Sequence, residues 1–522
     1  MCTVAFKASS TQQAEAPPRR SSKLEVPSIR HFLRGKNILI SGATGFLAKA
    51  LVEKILYEQP DVEQLYLLVR PGKGLTGAER IRQQVLTNPA YARLRQRYGD
   101  DYEAFMMSKL TAVEGDLGRP NMSIAEDVRA QLQEKLDVVV NSAANTVFDE
   151  RYDRALKINT LGARDMAAFA AGCKNLELLV HVSTCFTNGM RCGRTPEQPF
   201  ELNTTIAAEL GWEDAPELDV WREVEEGLKA EVLARDFLRE EGGSDSESEV
   251  DHRVRDMGLN RAHRYGWQDT YVFTKAMGEM LVGEVAKEAG MPTVILRPAI
   301  VEGAWKEPVE GWIEGIRMCD PIIIAYGKGQ LPGFPAEKQG LIDVIPVDHV
   351  VNATLASMAY HAQQPGLQVY QVASSGSSNP LTLRTLADCA TQHFAEHPMA
   401  RHGAPLKLPP IEMYDSSEDM REALLKKLIT ENGTHSAASQ RRQELIARKT
   451  MEYTEHLASL YTPYTFYGAR FVAEHTRELY EGLQGEEKEA FAFDVTALDW
   501  NDYITNTHIR GLREFALKQQ AE

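Results

Sequence analysis

The sequence predicts a doubly wound α/β fold, a parallel sheet with helices on both faces, followed by a mainly helical C-terminal part. Three observations in the 522-residue chain carry this prediction. From about residue 36, short β-rich runs alternate with longer helical ones, and the strand runs are apolar nearly throughout rather than at every second position. The first strand also enters the first helix through a glycine-rich turn. Strands that are apolar on both sides belong in a sheet covered on both faces, which is the parallel arrangement.

The elements follow in order. "NILIS" (37–41) reads as the first strand and "FLAKALVEKILYE" (46–58) as its helix; "QLYLLV" (64–69) is the second strand, and a long helical stretch leads to "LTAVEGD" (110–116). "DVVVNSA" (137–143), the helical "ALKINTLGARDMAAFAAGC" (155–173), "LELLVHVS" (176–183) and "TVILRPAIV" (293–301) continue the series. Between "HVSTCFTNG" (181–189) and "YVFTK" (271–275) lie about eighty residues, far more than one crossover needs. Within this insertion, Trp221, Val224, Leu228, Val232 and Phe237 fall at helical spacing and predict one apolar stripe, followed by an acidic Ser/Gly loop, "EEGGSDSESEVD", that is expected to be mobile. A helical lid and a plain surface excursion are both consistent with that composition.

After "VYQVASSGSSNPLT" the β-runs stop, and the text becomes helical and polar, with an aromatic run "YTPYTFYGARF" (461–471) and a closing "FDVTALDWNDYITNTHIRGLREFAL" (493–517). The expected division is a disordered arm over 1–33, a nucleotide-binding domain over 34–378 with the insertion at about 195–265, and a mainly helical domain over 379–520.

Bulk composition narrows the function classes. With 43% hydrophobic and 25% charged residues the chain is ordinary globular protein, and a net charge of -16 argues against a general nucleic-acid binder. No apolar run approaches the length needed to span a bilayer. Six scattered cysteines without a C-x-x-C pair point to a reducing compartment, the cytoplasm, and to no metal.

The chemistry begins at "SGATGFLA". Gly42 permits the tight turn, Gly45 lets backbone approach a pyrophosphate, and Ala48 lets helix and strand pack closely, so the phosphates of a dinucleotide sit at a helix N-terminus in a Rossmann-type fold. Thr44, Phe46 and Leu47 complete this turn. The second strand ends in Arg70, with Lys73 nearby, rather than in an acidic residue; positive charge there suits a 2'-phosphate and selects NADPH. Asp116 is positioned for the adenine amine with Leu117 against the ring, and Asn141, Ala143 and Ala144 end the fourth strand beside the cofactor. Ser183 and Thr184 put hydroxyls at the carboxyl edge of the fifth strand, where ligands of such sheets bind. Tyr271 and Lys275 stand one turn apart on one helix face.

Glycine turn, strand-end hydroxyl and Tyr-x-x-x-Lys in this order resemble the extended short-chain dehydrogenase/reductases. The resemblance implies that Tyr271 donates the proton, Lys275 binds the nicotinamide ribose and lowers the Tyr271 pKa, and Thr184, or Ser183 beside it, holds the carbonyl. Pro298 and Ile300 in "RPAIVEG" then lie beside the nicotinamide, and Asn159 is similar to the family's helix asparagine. "EPVEGWIEG", "IIIAYGKGQLPGFPA", "DVIPVDHVVNATLA" and the closing tail further resemble the alcohol-forming fatty acyl-CoA reductases, over about residues 34 to 517. That likeness implies NADPH-dependent reduction of long-chain acyl-CoA, or an acyl carrier protein thioester, through a fatty aldehyde to the alcohol, in fatty alcohol and wax ester metabolism. With no terminal anchor apparent, it suggests a bacterial-type enzyme, cytoplasmic or peripheral on a membrane or lipid-body surface, with homo-oligomers allowed.

Alternatives stay open at this level. Arg253, Arg255, Arg261 and Arg264 suit a solvated face balancing the acidic loop, or else CoA phosphates or an acidic carrier protein. Cys185 is either a covalent acyl acceptor or a small buried residue. A nucleotide-sugar epimerase or dehydratase shares the first domain and the Tyr–Lys pair, and a non-catalytic NADPH sensor needs the glycine turn alone.

Overall fold

A computed structural model describes residues 24–519 except 73, 241–245, 332, 402 and 432–436. Seven strands form the central sheet: β1 (Asn37–Ser41), β2 (Gln64–Val69), β3 (Leu110–Glu114), β4 (Val138–Asn141), β5 (Leu178–Val182), β6 (Thr293–Pro298) and β7 (Leu367–Val372). They are ordered β3-β2-β1-β4-β5-β6-β7 and every pairing is parallel. The order reverses between β1 and β4, so a crevice opens at their carboxyl ends, the usual ligand position in such sheets. The apolar runs are explained by burial: every residue of β4, β5 and β6 is buried.

Helix α1 (Phe46–Glu58) leaves the glycine turn after β1. Helix α2 (Gly162–Ala171) packs along the sheet, preceded by a π-helical segment, Leu156–Leu161. The insertion holds α3 (Val220–Leu228), α4 (Ala230–Glu240) and α5 (Glu247–Tyr265). It departs from the expected single stripe, because the chain breaks at Lys229 and only Val224 of the five residues is buried; Val220, Gly227, Ala230 and Ala234 make the inner contact instead. Small residues permit that close approach, since a Cβ on Gly227 would run into Leu156. Much of the expected mobile loop is also helical: α5 starts at Glu247, while 241–245 lie outside the described residues.

Helix α6 (Thr270–Ala289) carries "YVFTK". The Asp269 carboxylate caps its start by accepting from the Val272 N–H at 2.9 Å, and Gly290 ends it in the left-handed region. A fully buried pair, Arg297 of β6 and Glu279 of α6, locks helix to sheet, with Nε donating to Oε2 at 3.1 Å.

The C-terminal part wraps back onto the sheet domain. Ala469–Phe471 pairs in parallel with Gly193–Thr195, and Glu412–Tyr414 with Gly333–Pro335. One continuous apolar core runs from Val26 to Leu512. The expected disordered arm over 1–33 also ends earlier than expected. Ile29–Leu33 is helical with both end residues fully buried, and the Glu487 carboxylate accepts from the Ile29 N–H at 2.8 Å; residues 1–23 lie outside the description.

Candidate active site

The cofactor cradle is built where α1 meets β1. Gly42 has φ +71°, and a Cβ there would approach the backbone of Ala143 to 3.0 Å, so only glycine fits. Gly45 begins α1 without a side-chain cap, leaving the first helical N–H groups to face outward toward an anion. The strand ends on either side are tied: the Ser41 hydroxyl donates to Asn141 Oδ1 at 2.8 Å and accepts from the Ala143 N–H at 3.0 Å. Asn141 is thereby committed to a buried ladder that continues to His181 at 3.1 Å. It supports the floor of the crevice, while Ala143 and Ala144, half-buried, form its surface.

Thr44, Phe46 and Leu47 occupy the turn and first helical residues as expected, with Phe46 packed 4.8 Å from the Trp312 ring. Arg70 is exposed just beyond β2, its carbonyl held by the Arg80 guanidinium; Lys73 lies outside the described residues. Arg80 thus brings a second cation to this strand end, one the sequence reading missed because it sits ten positions away in the next helix. Asp116, half-buried, accepts from the Gly118 N–H at 3.0 Å, and Leu117 packs against Gly162.

Tyr271 lies on the inner face of α6, half-buried, and among the described residues no side chain hydrogen-bonds its hydroxyl. Burial, with the neighbouring Asp269 carboxylate, pushes its pKa up. The lowering expected from Lys275 is therefore not present in this state. The reason is visible: the Lys275 ammonium donates to the Val182 carbonyl at 2.7 Å, and burial brings its own pKa down to about 8. Asn159 holds the neighbourhood together, its amide donating to the Asn145 carbonyl at 3.0 Å and to Thr274 Oγ1 at 3.1 Å.

The two hydroxyls after β5 differ. Thr184 donates to the Pro298 carbonyl at 3.3 Å and caps the short helical turn Cys185–Asn188 by accepting from the Phe186 N–H. Ser183 Oγ is buried with no partner among the described residues, and its N–H still bonds to β6 in strand register, so it shares a face with the buried His181. Pro298 ends β6 against Thr184, and Ile300 opens the next short strand, Ile300–Glu302.

Beyond Ile300 lies an apolar pocket. Its walls come from several separate stretches, including Ile300, Ile323 of α7 (Asp320–Gly327), Phe334, Ala387 and Ala390 of α9 (Leu383–Glu396), and Tyr461 and Tyr464 of α10 (Ala437–Thr465). Helix α8 (Val347–His361) covers the sheet nearby. Tyr464 joins cavity to site: its hydroxyl donates to Asp269, the cap of α6, and its ring stacks 5.1 Å from Phe148, which in turn sits 6.0 Å from Tyr271. The aromatic run in the sequence was the only hint of this wall.

The geometry bears on two open alternatives. Arg261 pairs with Glu223 at 2.7 Å and Glu226 at 2.9 Å, Arg253 lies over Phe237 at 3.9 Å, Arg255 reaches Asp149, and Arg264 sits over Tyr265 at 5.9 Å. Arg261 and Arg255 are thus ion-paired within the insertion and its neighbours, while Arg264 stays exposed. Cys185 is fully buried and donates to the Arg297 carbonyl at 2.9 Å, and burial pushes its thiol pKa well up, the opposite of an activated nucleophile.

Parallel sheet, glycine cradle and the Tyr–Lys helix define an oxidoreductase with a nicotinamide cofactor, of the extended short-chain dehydrogenase/reductase class. Two family models described as male sterility protein, the first an NAD-binding domain, match residues 40–354 and 436–519. Fatty acyl-CoA reductase 2, chloroplastic, of Arabidopsis thaliana is 42% identical over 503 residues, covering 94% of this chain and 80% of that protein. The alcohol-forming fatty acyl-CoA reductase of Simmondsia chinensis is 34% identical over 94% of this chain and 99% of its own length. The chain belongs to the fatty acyl-CoA reductase family. Both relatives are plant proteins, so the bacterial type expected from the sequence finds no support. Among solved structures, the terminal R domain from the myxalamid PKS-NRPS biosynthetic pathway superposes with a TM-score of 0.54 at 18% identity, over 94% of this chain and 93% of that one, a likeness of fold alone. No helix among the described residues is long and apolar enough to cross a membrane.

Proposed function

We propose that the chain reduces long-chain fatty acyl-CoA with NADPH, through a fatty aldehyde, to the primary alcohol, supplying fatty alcohol and wax ester synthesis. The observation that carries it is the apolar cavity opening at Ile300 and Tyr464, beside the helix that presents Tyr271 and Lys275. Gly42, Gly45 and the start of α1 would hold the pyrophosphate, and Arg70, with Arg80 and Lys73, would meet the 2'-phosphate that distinguishes NADPH. When bound, the dinucleotide supplies the hydride, one for the thioester and a second for the aldehyde. Thr184 steadies the carbonyl oxygen as it gains negative charge, and Tyr271 protonates it. At neutral pH the raised pKa keeps Tyr271 protonated, as a donor must be, and the Lys275 ammonium stabilises the phenolate left behind. The thiol of CoA leaves from the first adduct, giving the aldehyde; an acyl carrier protein thioester would follow the same course.

The exposed Trp212, Trp221, Leu228, Val232 and Leu233 give the insertion an apolar outer face, which supports a peripheral contact with a membrane or lipid-body surface on the cytoplasmic side. The division at 378/379 is supported by the end of the sheet at Val372 and the helical run from Leu383. The epimerase and sensor readings explain neither the cavity nor the match of whole-length reductases.

The test is oxidation of NADPH, and of NADH in parallel, with palmitoyl-CoA and with hexadecanal, the products identified chromatographically. The expected result is hexadecanol from both substrates, NADPH preferred, and a loss of about 10²–10⁴ in both reductions on Tyr271→Phe with NADPH binding kept. No turnover of any long-chain acyl-CoA or aldehyde sinks the proposal.

A further inference from the structure

Four residues from three separate stretches meet at one side of the pocket: Glu302 after β6, Cys319 and Asp320 at the start of α7, and His508 in the closing segment. They are between 0% and 5% exposed, and their donor atoms all lie within 4.8 Å of one another. Cys319 Sγ stands 2.8 Å from Glu302 Oε1, His508 Nε2 is 3.0 Å from Asp320 Oδ1 and 3.7 Å from Glu302 Oε2. None of the four takes part in the mechanism above, and only Cys319 among them also lines the pocket.

The cluster is short of positive charge. Two carboxylates and a thiol face one imidazole in a dry interior, where unpaired charge is costly. Glu302 Oε2 is buried, points at His508 and has no hydrogen-bond partner among the described residues. Arg317, three residues before Asp320, is exposed and contributes its backbone N–H to Asp320 Oδ2 at 2.9 Å.

The surrounding backbone is shaped to deliver these donors. His508 ends a π-helical segment, Tyr503–His508, a distortion that often marks functional positions. The Tyr503 hydroxyl donates to the Gly303 carbonyl at 2.6 Å, and Gly511 lies so close to the Gly311 carbonyl that a Cβ would overlap it.

We propose that Glu302, Cys319, Asp320 and His508 form a structural zinc site. A thiolate, an imidazole nitrogen and two carboxylate oxygens are the ligand types zinc takes, and thiolate with imidazole selects against magnesium and calcium. Zinc bonds of about 2.0–2.3 Å give tetrahedral edges of roughly 3.3–3.8 Å, so the donors need to open by only about half an ångström or close by about one. Binding displaces the Cys319 thiol proton, and the acid proton of Glu302 where present, to solvent. With all four positions filled by protein the ion has no open site for water. It fastens the closing segment to the strand bearing Ile300 and to α7, two walls of the cavity.

The test uses the full chain, purified from zinc-supplemented medium and desalted, with elemental analysis. About one zinc per chain is expected, falling below about a tenth in Cys319→Ser and His508→Gln, with the thermal midpoint lowered when a chelator strips the metal. The cobalt-loaded wild type should show tetrahedral d–d bands and a thiolate charge-transfer band, a readout that stands even where a variant fails to fold. Wild type holding under about a tenth of an equivalent, a cobalt form without the thiolate band, or two folded variants retaining the full equivalent each overturns the proposal. The cluster would then be a proton-sharing network.

Discussion

Lys275 carries the pH dependence of the proposed chemistry. Burial disfavours its charged form and sets its pKa at about 8, below the ordinary lysine value, while the Tyr271 pKa is raised. A cation with a depressed pKa is lost as pH rises, so the ammonium is present below about pH 8 and gone above it. The kcat/KM for aldehyde reduction should be level on the acid side and fall about tenfold per unit above pH 8. Lys275→Arg, with a guanidinium charged throughout, should move that fall out of range whatever it costs in absolute rate. An unchanged profile in the variant would remove Lys275 from the ionisation. Thr184 and Ser183 are separable by stability. Thr184 Oγ1 both caps a turn and bonds Pro298, so Thr184→Val should cost about 0.5–2 kcal/mol as well as about 10²–10³ in kcat. Ser183→Ala removes an unpartnered buried hydroxyl and should leave the thermal midpoint level or higher, with activity changed only a few-fold. The reverse pattern of activities would transfer the carbonyl to Ser183.

At the scale of elements, what was legible depended on whether local pattern and tertiary burial agreed. The strands up to β6 were readable because a parallel sheet demands residues apolar on both faces, and the glycine turn because Gly42 answers to a backbone constraint that acts locally. Tyr271 and Lys275 were readable from one helical turn, and Thr184 from its place at a strand end. The pairings Ala469–Phe471 with Gly193–Thr195 and Glu412–Tyr414 with Gly333–Pro335 were not. Three-residue strands leave no period, and their partners are remote in sequence. Tyr464 was hidden for the same reason, since its partner Asp269 lies 195 positions away. The insertion stripe misled because its large apolar residues are exposed and its contact is made by small ones, Gly227, Ala230 and Ala234, which carry little hydropathy signal. The pKa of Tyr271 was beyond reach because it depends on where Lys275 points: toward Val182 in this state.

At the scale of the molecule, the C-terminal part supplies walls of the pocket proposed for the acyl chain. The sheet domain contributes Ile300 to the pocket, but Ala387, Ala390, Tyr461 and Tyr464 arrive from α9 and α10, so the pocket is assembled from distant parts of the chain. If the cavity holds the acyl chain, narrowing it should penalise long substrates and spare short ones. Ala387→Phe places a ring in the wall from α9, and with each excluded methylene worth about 10-fold or more, kcat/KM for palmitoyl-CoA should drop by at least about 10²-fold while octanoyl-CoA stays within a few-fold. The thermal midpoint separates this from simple overpacking, which costs about 1–3 kcal/mol and would slow every substrate alike. A variant as stable as wild type that loses equal activity at all chain lengths would place the acyl chain somewhere other than this cavity.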